Sequence, residues 1–249
     1  MSKMMMAAAL AGFAISTHAY AVVLYDGSAP GSPASQGWLS HYSIPTGGTE
    51  TVGTGETTYD SGPSNSEHGG YSNDSIVGSP VNASFPTLDR TAGFTVTASL
   101  QELSESHASN DRSGLSLIAL SSDSYGIELE FWPNEIWAQS GPAFTHAEGI
   151  AYNTLAANVT YALNITGSNY ILFADGNSIL TGALRNYSSF GYPYTLQNYL
   201  YLGDDTGSAQ GAFELSGLAV AVPEPTMIGL LVTPLLLLKQ RRRSHKRTV

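Results

Sequence analysis

The chain has 249 residues, 10 of them Lys or Arg and 20 Asp or Glu, for a formal charge of −10, and its lack of cysteine excludes a disulfide framework, thiol catalysis and thiolate metal sites. Seven of the basic residues lie at the two ends (Lys3, Lys239, Arg241, Arg242, Arg243, Lys246, Arg247), so residues 22–222 keep three arginines, no lysine and nineteen acidic residues, a formal charge of −16. So acidic a segment repels phosphate and excludes nucleic acid as a partner.

At the N-terminus, Lys3 precedes the apolar run Met4 to Ile15, and Ala19-Tyr20-Ala21 offers small residues two apart. That order reads as a secretory signal peptide over residues 1–21, exported by the Sec machinery and cleaved after Ala21. From Ser28 to Ser84, Gly, Ser, Thr and Pro dominate, which predicts long surface loops or a poorly ordered insertion rather than a second domain. Strand signals follow. Phe94, Val96, Ala98 and Leu100 alternate with Thr95, Thr97 and Ser99, and Tyr125, Ile127, Leu129 and Phe131 alternate with Gly126, Glu128, Glu130 and Trp132. Tyr161, Leu163 and Ile165 repeat the pattern, and period two means half-buried strands. Turns are predicted at Gly167-Ser168-Asn169, Asp175-Gly176-Asn177 and Gly203-Asp204-Asp205, and a closing strand at Phe213 to Val220. Short strands with hairpin signals predict one all-β sandwich or jelly roll over residues 22–222.

The chain ends in Pro223-Glu224-Pro225, an apolar segment at 227–238 and a basic end at 239–249. The prolines favour an extended, exposed tripeptide. As a helix the apolar segment spans about 18 Å, against a hydrocarbon core of about 30 Å. The membrane reading rests on the arginine cluster, which belongs on the cytoplasmic side, and on Lys239, which can snorkel.

Candidate chemistry is sparse. Glu128 and Glu130 share one strand face, opposite the core side, where the bland reading is a solvated surface. Trp132 falls on that face too; with Trp137, Gln139 and the tyrosines at 187, 192, 194, 199 and 201 it offers stacking surface for a saccharide, while the bland reading buries the tryptophans. Glu105, His107, Asn110, Asp111 and Arg112 form one polar segment and Phe144, His146 and Glu148 another; they make a site only if the two loops meet. Arg112 is expected to be an ion-pair partner. Asp204 and Asp205, in a predicted turn, offer hard oxygens to calcium, although no EF-hand spacing accompanies them.

Two resemblances add to this. The tail, with Pro223, Glu224 and Pro225 ahead of the apolar segment and Arg241, Arg242 and Arg243 behind it, resembles the PEP-CTERM sorting signal of Gram-negative bacteria. That resemblance implies export, transient anchoring in the inner membrane, processing by an exosortase, and delivery to the cell surface or extracellular matrix. The passage Tyr161 to Gly182, with Gly203-Asp204-Asp205 and Phe213 to Val220 after it, resembles concanavalin-A-like (laminin-G-like) domains. Leu24-Tyr25-Asp26-Gly27, Gln36-Gly37-Trp38, Gly126 to Trp132 and Ile136 to Gln139 resemble the choice-of-anchor type of exported domain. This implies a jelly-roll sandwich and no established activity. Glycoside hydrolases of the laminarinase kind share that sandwich and place acidic residues alternately on one strand, which would make Glu128 and Glu130 nucleophile and acid/base. The third acidic residue of that pattern is missing, since Phe131, Trp132, Pro133 and Asn134 precede Glu135. The sequence therefore favours a structural or glycan-binding module of an extracellular polysaccharide layer, with no enzymatic activity and no required cofactor. The alternatives are a hydrolase using Glu128 and Glu130, and a ligand-free coat protein.

Overall fold

The computed structural model describes residues 19–44, 47–75 and 78–224. Its strands are β1 (Ala19–Asp26), β2 (Ser40–Ile44), β3 (Thr49–Val52), β4 (Thr57–Asp60), β5 (His68–Ser72) and the long β6 (Phe94–His107). There follow β7 (Ser116–Leu120), β8 (Tyr125–Trp132), β9 (Glu135–Gln139), β10 (His146–Ala151) and β11 (Val159–Thr166). The last are β12 (Asn169–Ala174), β13 (Asn177–Ala183), the short β14 (Arg185–Asn186), β15 (Tyr199–Asp204) and β16 (Ala209–Pro223). Among the described residues the helical pieces are short 3₁₀ turns at Pro33–Gln36 and Ser188–Phe190, and no helix is long and apolar enough to cross a membrane.

The strands form two eight-stranded sheets. One has the order β13-β12-β11-β6-β16-β4-β3 with β1 on β16; the other runs β10-β9-β8-β7-β15-β5-β2 with β14 on β8. The chain is thus an all-β two-sheet sandwich. Side chains alternate across each strand, so Phe94, Val96, Ala98 and Leu100 of β6 and Tyr161, Leu163 and Ile165 of β11 all point between the sheets. There they meet Ile127, Leu129 and Phe131 of β8 and Leu200 and Leu202 of β15 in one core. In β16 a bulge between Leu215 and Gly217 adds one residue, which keeps Leu218 and Val220 on the same inner face as Phe213 and Leu215.

Two expectations are corrected. Residues 28–84 are not loops alone: between long connections they supply β2 to β5, which extend both sheets. These strands were hidden because they are only four or five residues long, and β5 has glycine at two of its five positions. The glycines are needed where backbones meet. Gly70 of β5 pairs with Gly203 of β15, whose φ is +147°, and a Cβ on Gly70 would sit 2.4 Å from the Leu202 carbonyl oxygen. Gly203-Asp204 is likewise not a turn but the end of β15.

The second sheet differs from the first in being covered on both faces. In β7 and β15 every residue is buried. The outer cover is a small separate core of Ile118, Leu120, Tyr187, Tyr194, Tyr199 and Tyr201, flanked by Tyr42, Phe144 and Leu196. Tyr187 and Tyr194 come from the segment between β14 and β15, which folds back over the sheet onto Tyr199 and Tyr201 of β15.

Candidate functional site

Glu128 and Glu130 do share the outer face of β8, as their spacing requires, but that face is not solvated: both residues have 0 % exposure. Each strand contributes side chains to this face at alternate positions. Ser116 of β7 pairs with Glu130, Ile118 with Glu128, and Trp137 of β9 with Glu130. Asp205 follows the last residue of β15 and completes an acidic cluster: one carboxylate oxygen each from Glu128, Glu130 and Asp205 lie within 4.8 Å of one another. Ser116 Oγ is 2.6 Å from Glu130 Oε2 and 3.0 Å from Asp205 Oδ1, and the Tyr194 hydroxyl donates to Asp205 Oδ2 at 3.0 Å. Both Glu128 oxygens and Glu130 Oε1 are buried without a hydrogen-bond partner.

Burial raises the affinity of all three carboxyls for a proton. Burial acts first on Glu128, followed by the charge of Asp205; on Glu130 burial is followed by the charges of Glu128 and Asp205. Arg112 is the cation that opposes this. It is not the ion-pair partner expected from sequence. Its guanidinium donates to the carbonyl oxygens of Asp111 and Phe144 and stacks 4.8 Å over the Phe144 ring.

The two polar loops do meet. Besides the Arg112 contact, the His146 backbone N–H donates to Asp111 Oδ1 at 2.9 Å. Trp132 and Trp137 sit at this junction in a ladder of rings. His107 stacks on Trp132 at 4.2 Å, Trp132 meets Trp137 edge-on at 5.4 Å, and Trp137 stacks on His146 at 4.2 Å. The histidines are anchored in turn, His107 by Glu105 at 3.0 Å and His146 by Glu135 at 3.1 Å. The tryptophan platform expected for a sugar is thereby corrected. Trp137 and Gln139 have no exposure, and the half-buried Trp132 spends its ring faces on the protein's own side chains. Glu148 is drawn away to Arg185 and to the Tyr170 hydroxyl.

The aspartate pair also divides. Asp204 is fully buried, with Oδ2 unpartnered, on the side of β15 that faces the other sheet, whereas Asp205 joins the outer cluster. The two cannot act together on one ion.

The open part of this face lies beside the cluster. Two adjoining cavities of about 270 and 330 Å³ share Tyr42, Tyr192, Pro193, Tyr199 and Asp205. The first adds His68, Ser72 and Asp74, the second Arg112, Phe144, Phe190 and Thr206. Tyr192 is 59 % exposed and Phe190 40 %, while Tyr187, Tyr194, Tyr199 and Tyr201 are buried. The tyrosine group anticipated as stacking surface is therefore mostly internal cover, with Tyr192 at the rim. Tyr42, His68 and Asp74 escaped the sequence because they lie on or beside the short strands taken for loops.

Ala19 and Ala21 lie on the exposed start of β1, where burial begins at Val22. Pro223 ends β16 and Glu224 is exposed. The rest of the signal peptide, Pro225, the apolar segment 227–238 and Arg241, Arg242 and Arg243 lie outside the described residues.

No family model matches the chain, and no curated protein matches it. Among solved structures it is similar to a carbohydrate esterase from the Shiga toxin-encoding bacteriophage phi24B, with a TM-score of 0.55 and 16 % identity over 82 % of this chain and 100 % of that one. The exoplasmic/lumenal domain of VIP36 in its metal-free form gives a TM-score of 0.46 at 10 % identity, covering 82 % of this chain and 97 % of that one. Alginate lyase A1-II' gives 0.41 at 12 % identity, covering 84 % and 96 %. At these identities the phage protein establishes a shared fold, the β-sandwich, and nothing further.

Proposed function

We propose that the chain is an exported glycan-binding module of the concanavalin-A-like jelly-roll class, without catalytic activity. Its ligand would lie in the tyrosine-lined cleft on the outer face of the second sheet. The observation that carries this reading is the cleft itself: an exposed Tyr192 beside Tyr42 and Tyr199, with Asp74, His68, Arg112 and Asp205 as polar groups around the aromatic walls. Flat aromatic rings next to hydrogen-bonding side chains suit the apolar faces and hydroxyl edges of a saccharide. The cavities are near the lower end of ligand-site volumes, about 300 Å³, which favours one or two sugar rings of a longer chain.

Delivery in this proposal follows the two ends: Sec-dependent export, anchoring by the tail, exosortase processing, and display in the polysaccharide layer of a Gram-negative cell. Hydrolysis by Glu128 and Glu130 is the weaker reading, because neither carboxyl has any surface on which a glycosidic bond could rest. The test is retention on a panel of bacterial and algal polysaccharides, with reducing ends measured in the same tubes. Retention that falls about tenfold in Tyr192→Ala, with no reducing ends, supports the module. Reducing ends that vanish in Glu128→Gln would replace it with the hydrolase, and neither signal would leave the coat protein.

A further inference from the structure

Beneath the cleft, the acidic cluster presents a charge problem that the protein's own side chains do not solve. Among the described residues the arginines are Arg90, Arg112 and Arg185. Arg90 is paired with Asp123 and Arg185 with Glu148. Arg112 stands near the cluster, yet its donors go to the backbone carbonyls of Asp111 and Phe144 and it makes no salt bridge there. Three largely buried carboxyls beside one arginine that makes no salt bridge to them are short of countercharge, which is strongly disfavoured, so protons or an ion must complete the cluster.

Several independent features distinguish an ion. Glu128 is fully buried within the group, and neither of its oxygens makes a hydrogen bond of 3.5 Å or less, its polar neighbours being the Tyr194 hydroxyl and the Glu130 carboxyl. Glu130 Oε1 likewise makes none. One carboxylate oxygen from each of the three residues lies within 4.8 Å of the other two, close enough for all three to reach one ion at calcium–oxygen distances of about 2.4 Å. Further oxygens border the group. Ser116 Oγ contacts both Glu130 and Asp205, and Gln139 Oε1 is buried and unpartnered on β9, where the register continued one step past Ala138 sets it across from Glu128. The donors are oxygens throughout, since the two nearby histidines are engaged by Glu105 and Glu135. Such a set selects a hard cation over zinc or copper.

We propose that Glu128, Glu130 and Asp205 form a binding site for one divalent cation of the calcium type, roofed by Tyr194. The ion ties the end of β15 to β8 and, through the bond from Tyr194 to Asp205, holds the aromatic segment against the sheet. The site borders the open cleft through Asp205, which lines both cavities, but the buried Glu128 and Glu130 that argue for an ion lie outside that lining, so a cation can bind whether or not the cleft holds a glycan.

Tyrosines surround the cluster, so terbium can report on it directly. The full chain, stripped with chelator, is titrated with Tb³⁺ while tyrosine is excited, then back-titrated with Ca²⁺ and Mg²⁺. The proposal expects saturable sensitised emission, displaced by Ca²⁺ at lower concentration than by Mg²⁺, and a Tm that rises with Ca²⁺. The Glu128→Gln/Glu130→Gln double variant should bind Tb³⁺ at least about tenfold more weakly, while Asp60→Asn, at an exposed site, binds as wild type. Thermal melts in chelator keep the double variant interpretable: it should be folded and indifferent to Ca²⁺. Emission that is absent, or equal in the double variant, overturns the proposal, as does a wild-type Tm that Ca²⁺ leaves unchanged; the carboxyls then share protons alone.

Discussion

Glu102 shows how one buried group can be read from its hydrogen bonds. Thr154 Oγ1 lies within hydrogen-bond reach of both the Trp132 carbonyl oxygen, at 2.9 Å, and Glu102 Oε2. The hydroxyl has one proton and the carbonyl has none, so both contacts are satisfied only when Glu102 is protonated and donates to Thr154. Burial, the largest influence, accordingly pushes the Glu102 carboxyl from 4.5 up to about 8, and it pushes Asp204 from 3.8 up to about 8. Between these limits the folded state holds protons that the unfolded chain has released. The stability they contribute is therefore full at low pH and lost as pH climbs toward 8. Glu102→Gln, whose amide can still donate to Thr154, should raise Tm at pH 8 by several degrees and change it little near pH 4.5, read by thermal melts across that range. The tryptophans give a second contrast. Trp137→Ala removes a fully buried side chain and should cost about 3–5 kcal/mol, whereas Tyr192→Ala, at a 59 % exposed position, should leave the melt unchanged while weakening ligand retention.

Individual elements follow the same rule of facing. β8 was legible over its full length because Ile127, Leu129 and Phe131 alternate with polar positions, and so were the hairpins joining β11, β12 and β13. What alternation could not convey is what covers the polar side. The same Glu128 and Glu130 would read identically on a wet surface, and their burial depends on Tyr187 and Tyr194, about sixty residues later in the chain. Glycine-rich β5 was illegible for a different reason. With two of its five side chains missing, it has little pattern to detect, although the missing side chains are what allow the close approach to β15. The bulge in β16 offers a sharp test at this scale. Deleting Ser216 removes the extra residue and turns Leu218 and Val220 toward solvent, so the deletion variant should fail to show a cooperative melt. Tyr187→Phe is milder. It loses the 2.7 Å donation to the Gln139 carbonyl oxygen and should cost about 1 kcal/mol by denaturant melt.

At the scale of the molecule, two sheets enclose the main core while a second, tyrosine-built core closes the outer face of one of them. The division of labour that results, with an acidic cluster that is buried at Glu128 and Glu130 and meets an open aromatic cleft at Asp205, has no local sequence signature, because it joins β2, β5, β8 and β15 from both halves of the chain. Export and tail processing belong to this scale too. Mass spectrometry of the protein recovered from its native host should find an N-terminus at Val22 and a C-terminus short of Val249; a product ending at Val249 would remove the sorting proposal.

The arginines have one more consequence. Residues 22–222 contain no lysine, and their three arginines are held by Asp123, by the Asp111 and Phe144 carbonyls, and by Glu148. A folded domain of that kind offers trypsin-like proteases almost nothing to cut. If leader and basic tail are removed as proposed, the domain would carry a single primary amine, at its new N-terminus, and an amine-reactive dye would label each molecule once and at one known end.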